Sequence, residues 1–266
     1  MKKIFFLIAY LLTFQLYSQQ ITIKNIGNMG VLVGNGNTHV LIDGLHTKYG
    51  EDYLYPAQNI IDNLIHGKNG YPVAKAILFT HMHGDHFHGV PAAQFLRQNP
   101  TTILFGTEQV NSSIKGFDQN LVTISTDSYL KQTVDLGNFT ITGFKMNHAG
   151  DRHATTQNLG YLIRMFDLTI LHIGDTDWFE EIKMFDTLKL YDENSDIAMI
   201  PYWMISRKDA KEMVQKHIAS KKLVLTHISP RIKQSDLDAL KKRFPNAVFL
   251  TEQEKNYNSL TTHKKQ

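Results

Sequence analysis

Three imidazoles and one carboxylate fall within six consecutive positions, His81 to His86, in the stretch Thr80-His81-Met82-His83-Gly84-Asp85-His86. The stretch directly follows Ala76-Ile77-Leu78-Phe79, an apolar run that reads as a buried strand. Imidazole and carboxylate are the donors that borderline divalent metals such as zinc take, and little else in protein chemistry calls for them at this density. A solvated, His-rich loop is the plain alternative. The density favours a metal site, and it constrains the fold: this strand must end where other donors reach the same ion.

Three such donors stand at the ends of later apolar runs. His148 follows Phe144-Lys145-Met146-Asn147, Asp175 lies in Ile173-Gly174-Asp175-Thr176, and His227 follows Leu223-Val224-Leu225-Thr226. Taken singly, each is more often a capped or solvated strand end. Together with the first cluster they suit a site for two ions roughly 3.5–4 Å apart, which needs about six to eight ligand atoms. Two imidazoles at i and i+2 on a turn can converge on one ion while the adjacent Asp85-His86 pair points to another. Gly84 is expected to let the loop turn tightly without a Cβ clash.

The 266-residue chain is long enough for one sizeable α/β domain, with the 42% hydrophobic and 20% charged content of an ordinary soluble protein. Residues 1–18 are set apart: Lys2 and Lys3, an apolar run from Ile4 to Leu12, then Leu16-Tyr17-Ser18 before Gln19. That is the pattern of a secretory signal peptide, and its apolar run is too short to span a bilayer. The expectation is a mature domain over residues 19–266, exported to a periplasm or secreted, with no membrane anchor and an open oligomeric state. Removing Lys2 and Lys3 takes the formal charge from +3 to +1, which leaves no electrostatic footprint for nucleic acid. The expected partner is a small-molecule substrate. The absence of Cys excludes disulfides, thiolate ligands and thiol nucleophiles, so packing and bound metal must hold the fold.

Strands are expected at 21–26, 29–33, 39–43, 76–79, 139–146, 160–166, 168–173, 197–200, 223–226 and 247–250. Ile60, Ile61, Leu64 and Ile65 sit at helical spacing, and further helices are expected at 90–98, 207–220 and 235–243. Residues 102–136 carry no clear period. Strands in runs, then interleaved with helices, predict two sheets covered by helices, a layered α/β sandwich.

The series HxHxDH, then a His, then an Asp in Gly-Asp-Thr, then a His, resembles the ligand series of the metallo-β-lactamase superfamily. The segments Leu41-Ile42-Asp43-Gly44 and Gly160-Tyr161-Leu162-Ile163 resemble its ascorbate-6-phosphate-lactonase-like and ribonuclease-Z-like branch. The resemblance implies a four-layer αββα sandwich, two mixed sheets flanked by helices, with the site at one edge. It implies that His81, His83 and His148 hold one Zn2+, that Asp85, His86 and His227 hold a second, and that Asp175 bridges both. Mn2+ and Fe2+ are alternative occupants. The implied activity is hydrolysis of an ester, lactone or phosphodiester bond by a metal-bridging hydroxide, its pKa lowered to about 7, with Asp85 orienting it.

Other residues have more modest expectations. His153, in Gly150-Asp151-Arg152-His153, is the candidate donor to an oxyanion or leaving group, and Arg152 a candidate reader of an anionic substrate. Asp43 is either a turn former before Gly44 or a hydrogen-bond acceptor from a ligand imidazole. Tyr202 and Trp203 are candidates for the pocket wall, and His88 is expected to face away. His39, His46, His66, His172, His217 and His263 receive no role. A thiolate-dependent β-lactamase is excluded by the missing Cys, and those without a thiolate usually lack an Asp such as Asp175. Ribonuclease activity is disfavoured by export and by the near-neutral surface. Di-iron redox members carry a carboxylate where His83 stands. Two other classes stay open: a mononuclear iron-dependent dioxygenase on the same fold, and a non-catalytic metal-binding protein.

Overall fold

The computed structural model describes residues 21–179 and 182–258, so the expected signal peptide lies outside the described residues. The first half runs β1 (Thr22–Gly27), β2 (Gly30–Asn35), β3 (Thr38–Ile42), α1 (Gln58–His66), β4 (Ala76–Leu78), α2 (Gly89–Gln98), β5 (Ile103–Gly106), α3 (Glu108–Asn111) and β6 (Leu121–Thr123). The second runs β7 (Gln132–Asp135), β8 (Phe139–Asn147), β9 (Gln157–Met165), β10 (Leu168–Ile173), α4 (Ile182–Leu188), β11 (Ile197–Pro201), α5 (Ala210–His217), β12 (Lys222–Thr226), α6 (Gln234–Arg243), β13 (Val248–Phe249) and β14 (Asn256–Asn258).

Two seven-stranded sheets result, ordered β14-β1-β2-β3-β4-β5-β6 and β13-β12-β11-β10-β9-β8-β7. Each is mixed. Hairpin-connected strands pair antiparallel, β1 to β3 in one sheet and β7 to β10 in the other. Each sheet then continues in parallel through helical crossovers, as parallel neighbours require.

Period-two alternation divides the apolar residues between layers. In β3, Val40 and Ile42 enter a central cluster with Ile23, Val33, Ile141, Tyr161, Ile170 and Met199, which fills the space between the sheets. Leu41 faces the other way and packs with Ile61, Leu64 and Phe95 under α1 and α2. Leu171, Ile173 and Ile200 pack outward against Met184, Phe185, Met213 and Leu237 of α4, α5 and α6. The layers are therefore helix, sheet, sheet, helix, the αββα sandwich expected from the sequence.

Several boundaries differ from the sequence expectations. The helix expected at 207–220 is only Ala210–His217. At its start, Arg207 folds its guanidinium onto the Asp209 carboxylate, with Nε–Oδ1 and Nη2–Oδ2 both 2.8 Å. At its end, Ala219 turns left-handed at φ 49 and donates its N–H back to Val214. The strand expected at 160–166 starts at Gln157, and the 247–250 strand shrinks to Val248–Phe249. The unassigned 102–136 region holds β5, α3, β6 and β7. These elements are short, at three or four residues each, so no period can build up.

Candidate metal centre

Five strand ends meet at one edge of the sandwich. β3 ends at Asp43, β4 at the 80–88 loop, β8 at His148, β10 at Asp175 and β12 at His227. Backbone hydrogen bonds stitch these loops together: Asp43 N–H to Leu78 (2.9 Å), Ala149 N–H to Asp175 (2.8 Å), Leu159 N–H to Thr80 (2.9 Å) and His227 N–H to Asn28 (3.1 Å). Asn28, Asp43 and His227 have left-handed backbone at φ 47, 45 and 58. Three non-glycine residues in that region at one site are local strain that the surrounding fold holds in place.

The seven sequence candidates converge as two groups. His81, His83 and His148 form one, and Asp85, His86, Asp175 and His227 the other, with the donor atoms of each group within 4.8 Å of one another. Asp175 stands between them: Oδ2 is 3.2 Å from His227 Nε2 and 3.7 Å from His148 Nε2, while Oδ1 is 3.4 Å from His86 Nε2. Asp85 Oδ2 is 3.2 Å from His227 Nε2 and 3.4 Å from His86 Nε2.

The chemistry of the donors fits ions. Among the described residues, Nε2 of His81 and of His148 are buried without a hydrogen-bond partner. Such orphaned polar atoms are costly unless something else satisfies them. Lone pairs aimed at shared points, close together but out of hydrogen-bond alignment, are what a pair of cations needs. His81, His83 and His148 can hold one ion and Asp85, His86 and His227 the other, with Asp175 reaching both.

Electrostatics divides the groups in the same way. Burial pushes His81 well below the usual imidazole range and His148 down to about 4, so both present neutral lone pairs. Burial also opposes charge on His86 and His227, but Asp175 more than offsets it, joined by Asp85. His86 is lifted well above the usual range and His227 up to about 9. Burial works against both carboxylates in turn, yet the charges of His227 and His86 hold Asp175 well below the usual carboxylate range, and His86 and His227 do the same for Asp85.

A supporting layer orients the donors. Asp43 accepts from His86 Nδ1 (2.9 Å) and is itself held by the Thr80 N–H (2.8 Å) and Thr80 hydroxyl (2.7 Å). It is both a turn residue and an imidazole partner. Asn28 Nδ2 donates to Asp85 Oδ2 at 2.9 Å. Trp203 lies edge-on to His227 at 4.8 Å, fixed by its indole N–H on the Thr176 carbonyl, and Tyr202 packs on Trp203 at 6.0 Å. His153 lies 4.8 Å from His83 and 4.4 Å from His148, ring to ring, and its Nε2 accepts from Arg152 Nε at 2.8 Å. His88 turns away and caps α2, accepting from the Val90 N–H.

The expectation for Gly84 holds in part: it does avoid a Cβ clash, but it is not left-handed, so its backbone does not need glycine's freedom. A Cβ there would stand 2.6 Å from Tyr49 Cδ2, so the missing side chain makes room for the Tyr49 ring. Sequence reasoning missed Asn28, Thr80, Tyr49 and Tyr53. Asn28 carried a signal, an Asn in a Gly/Asn turn, but nothing in the chain named the carboxylate it would reach. His46 and His172, given no role, are fully buried close to His86; burial drives His46 down to about 4 and lowers His172 too.

Residues 40–233 match the family described as the Beta-lactamase superfamily domain. The chain belongs to the beta-lactamase superfamily. Several solved structures share its fold. Igni18, a metallo hydrolase of Ignicoccus hospitalis, is 15% identical with a TM-score of 0.60, covering 90% of this chain and 98% of its own. A diphosphatase from the PhnP family is 15% identical with a TM-score of 0.55, covering 90% and 97%. CmlA, a diiron β-hydroxylase of Streptomyces venezuelae, is 13% identical with a TM-score of 0.59, covering 91% of this chain and 54% of its own. At these identities the likeness is one of fold. No curated protein matches the chain in sequence.

Proposed function

We propose that this superfamily member is a binuclear, zinc-dependent hydrolase that cleaves an ester, lactone or phosphodiester bond in a small-molecule substrate. One observation carries the reading: seven donors stand in two groups joined by Asp175, with the buried Nε2 atoms of His81 and His148 hydrogen-bonded to no group among the described residues. Two divalent cations held there supply Lewis acidity and a water acidic enough to act near neutral pH.

The chain's own residues do the rest. Asn28 fixes the Asp85 carboxylate through Oδ2, which would orient it both to hold an ion with His86 and His227 and to accept a hydrogen bond from an attacking water. Arg152 occupies His153 Nε2, so Nδ1 is the nitrogen that donates to the leaving-group oxygen. Trp203 packs edge-on against the His227 imidazole and steadies its orientation. The diphosphatase among the related folds makes a phosphoester the first bond to test. The lactonase-like and ribonuclease-Z-like branch is the proposed placement, and export with removal of residues 1–18 the proposed location.

Metal analysis with a substrate panel of bis(p-nitrophenyl) phosphate, a chromogenic lactone and a p-nitrophenyl ester tests the activity. About two zinc ions per chain are expected, with turnover lost on chelation and restored by Zn2+. Less than one metal per chain with turnover unimpaired by chelation would sink the reading. Fractionation of cells expressing the full chain tests export, a full-length cytoplasmic product contradicting it.

A further inference from the structure

A tyrosine that the metal-binding groups do not use overhangs the His227 side of the centre. Tyr53 lies on the segment between β3 and α1, and its ring meets the His227 imidazole edge-on at 5.6 Å and 79°. The same ring packs on Tyr49 at 5.3 Å, and Tyr49 occupies the space that Gly84 leaves open between His83 and Asp85. Asp52 adds an ion pair at 3.7 Å to Arg231, on the segment that follows His227. The segment is thus tied to the donor loops at three points, and the Tyr53 side chain is held through its ring contacts with Tyr49 and His227.

Its hydroxyl is free. Among the described residues it makes no hydrogen bond, although the charges that act on it include Asp85, Asp175 and Arg152. The phenol is half-buried with its ring against His227, so its hydroxyl is available to a substrate oxygen that approaches on that side. His153 stands on the opposite flank, against His83 and His148. The two halves of the centre are therefore each flanked by a different proton-bearing side chain.

We propose that Tyr53 is a catalytic residue whose hydroxyl donates a hydrogen bond to the substrate oxygen that gains negative charge on the His227 side of the centre. This rests on the hydrolytic reading above. A neutral donor suits that position, because it stabilises a developing oxyanion without adding charge beside two cations. Donors so placed contribute about 10²–10³-fold to turnover.

The test is Tyr53→Phe in the full chain loaded with two equivalents of Zn2+, compared with wild type in two readouts. The substitution keeps the ring contacts with Tyr49 and His227 and removes an oxygen that bonds to nothing among the described residues, so a purely structural role predicts no change. Binding of inorganic phosphate, by calorimetry, is expected to weaken about tenfold, as for a hydrogen bond to a charged group. Turnover of bis(p-nitrophenyl) phosphate or the chromogenic lactone is expected to fall about 10²-fold, with zinc content and Tm unchanged. Wild-type values in both readouts overturn the proposal, and so does weakened phosphate binding with unchanged kcat. A wild type that binds no phosphate overturns it too. If wild type binds phosphate through Tyr53 but hydrolyses nothing in the panel, the hydroxyl stands as a ligand donor and the hydrolytic reading falls.

Discussion

Asp175 reaches three donor imidazoles from its two oxygens, His86, His227 and His148, where Asp85 reaches two, His86 and His227. Asp175→Ala is expected to lower zinc content below two per chain and turnover by about 10²-fold or more, read by metal analysis and kcat. Two zincs at wild-type affinity in that variant would contradict the bridging assignment. Asp43 acts one step further out, through His86 Nδ1 at 2.9 Å. Asp43→Asn keeps the shape but removes the charge that steadies the imidazole, and should weaken zinc binding about 10–100-fold in a chelator competition. The residue types were legible in the sequence because metal chemistry demands them. Asn28, Thr80 and Tyr53 were not, since Asn, Thr and Tyr serve many purposes and only their neighbours give them this one.

At the scale of elements, the turns after the strands decide whether donors meet. Gly174 links β10 to Asp175, and a Cβ there would stand 2.1 Å from Asn158 Oδ1 and 2.9 Å from the Leu159 carbonyl. Asn158 is buried and the Leu159 carbonyl is backbone, so neither gives way easily. Gly174→Ala should cost about 1–3 kcal/mol in denaturant unfolding and reduce zinc affinity by displacing Asp175. Gly84→Ala meets only the half-exposed Tyr49 ring, which can swing aside, so its stability change should stay within about 0.5 kcal/mol with zinc content kept. Equal losses in the two variants would show that both loops need glycine for the same reason. Strands and helices of five or more residues were largely legible from apolar period. The short elements between 102 and 136 were not, because three or four residues cannot display one.

For the whole molecule, the centre couples stability to protons and metal. His227 has a folded-state pKa of about 9 against an ordinary 6.5, so its contribution is fully present below pH 6.5 and lost as pH rises through about 9. His148 and His46 are buried neutral with pKa values of about 4, so their contribution is present above pH 6.5 and lost as pH falls toward 4. The ion-free protein should therefore be most stable near pH 6.5, falling on both sides. Thermal unfolding of chelator-treated protein from pH 4 to 9.5 checks this, and a Tm still climbing between 6.5 and 9 would contradict it. Adding Zn2+ should release protons at pH 7, since the ions displace them from His86 and His227, and should raise Tm. Calorimetry in two buffers of different ionisation enthalpy reads the proton count.

The sequence by itself determined the donor types, their order and the strand that precedes each, because ligand chemistry restricts residue identity and apolar runs restrict secondary structure. It also determined the sandwich, since alternating and continuous apolar runs leave few ways to cover two sheets. The resemblance in the sequence already implied how the donors divide and that Asp175 joins them, but only tertiary structure supplied the distances at which they meet. Tertiary structure also decided that Asn28 from one hairpin turn holds Asp85 from a distant loop, and that Tyr53 closes one flank. Those facts depend on distances between strand ends in two different sheets. A linear order of residues carries no such distances until the central cluster has packed the sheets together.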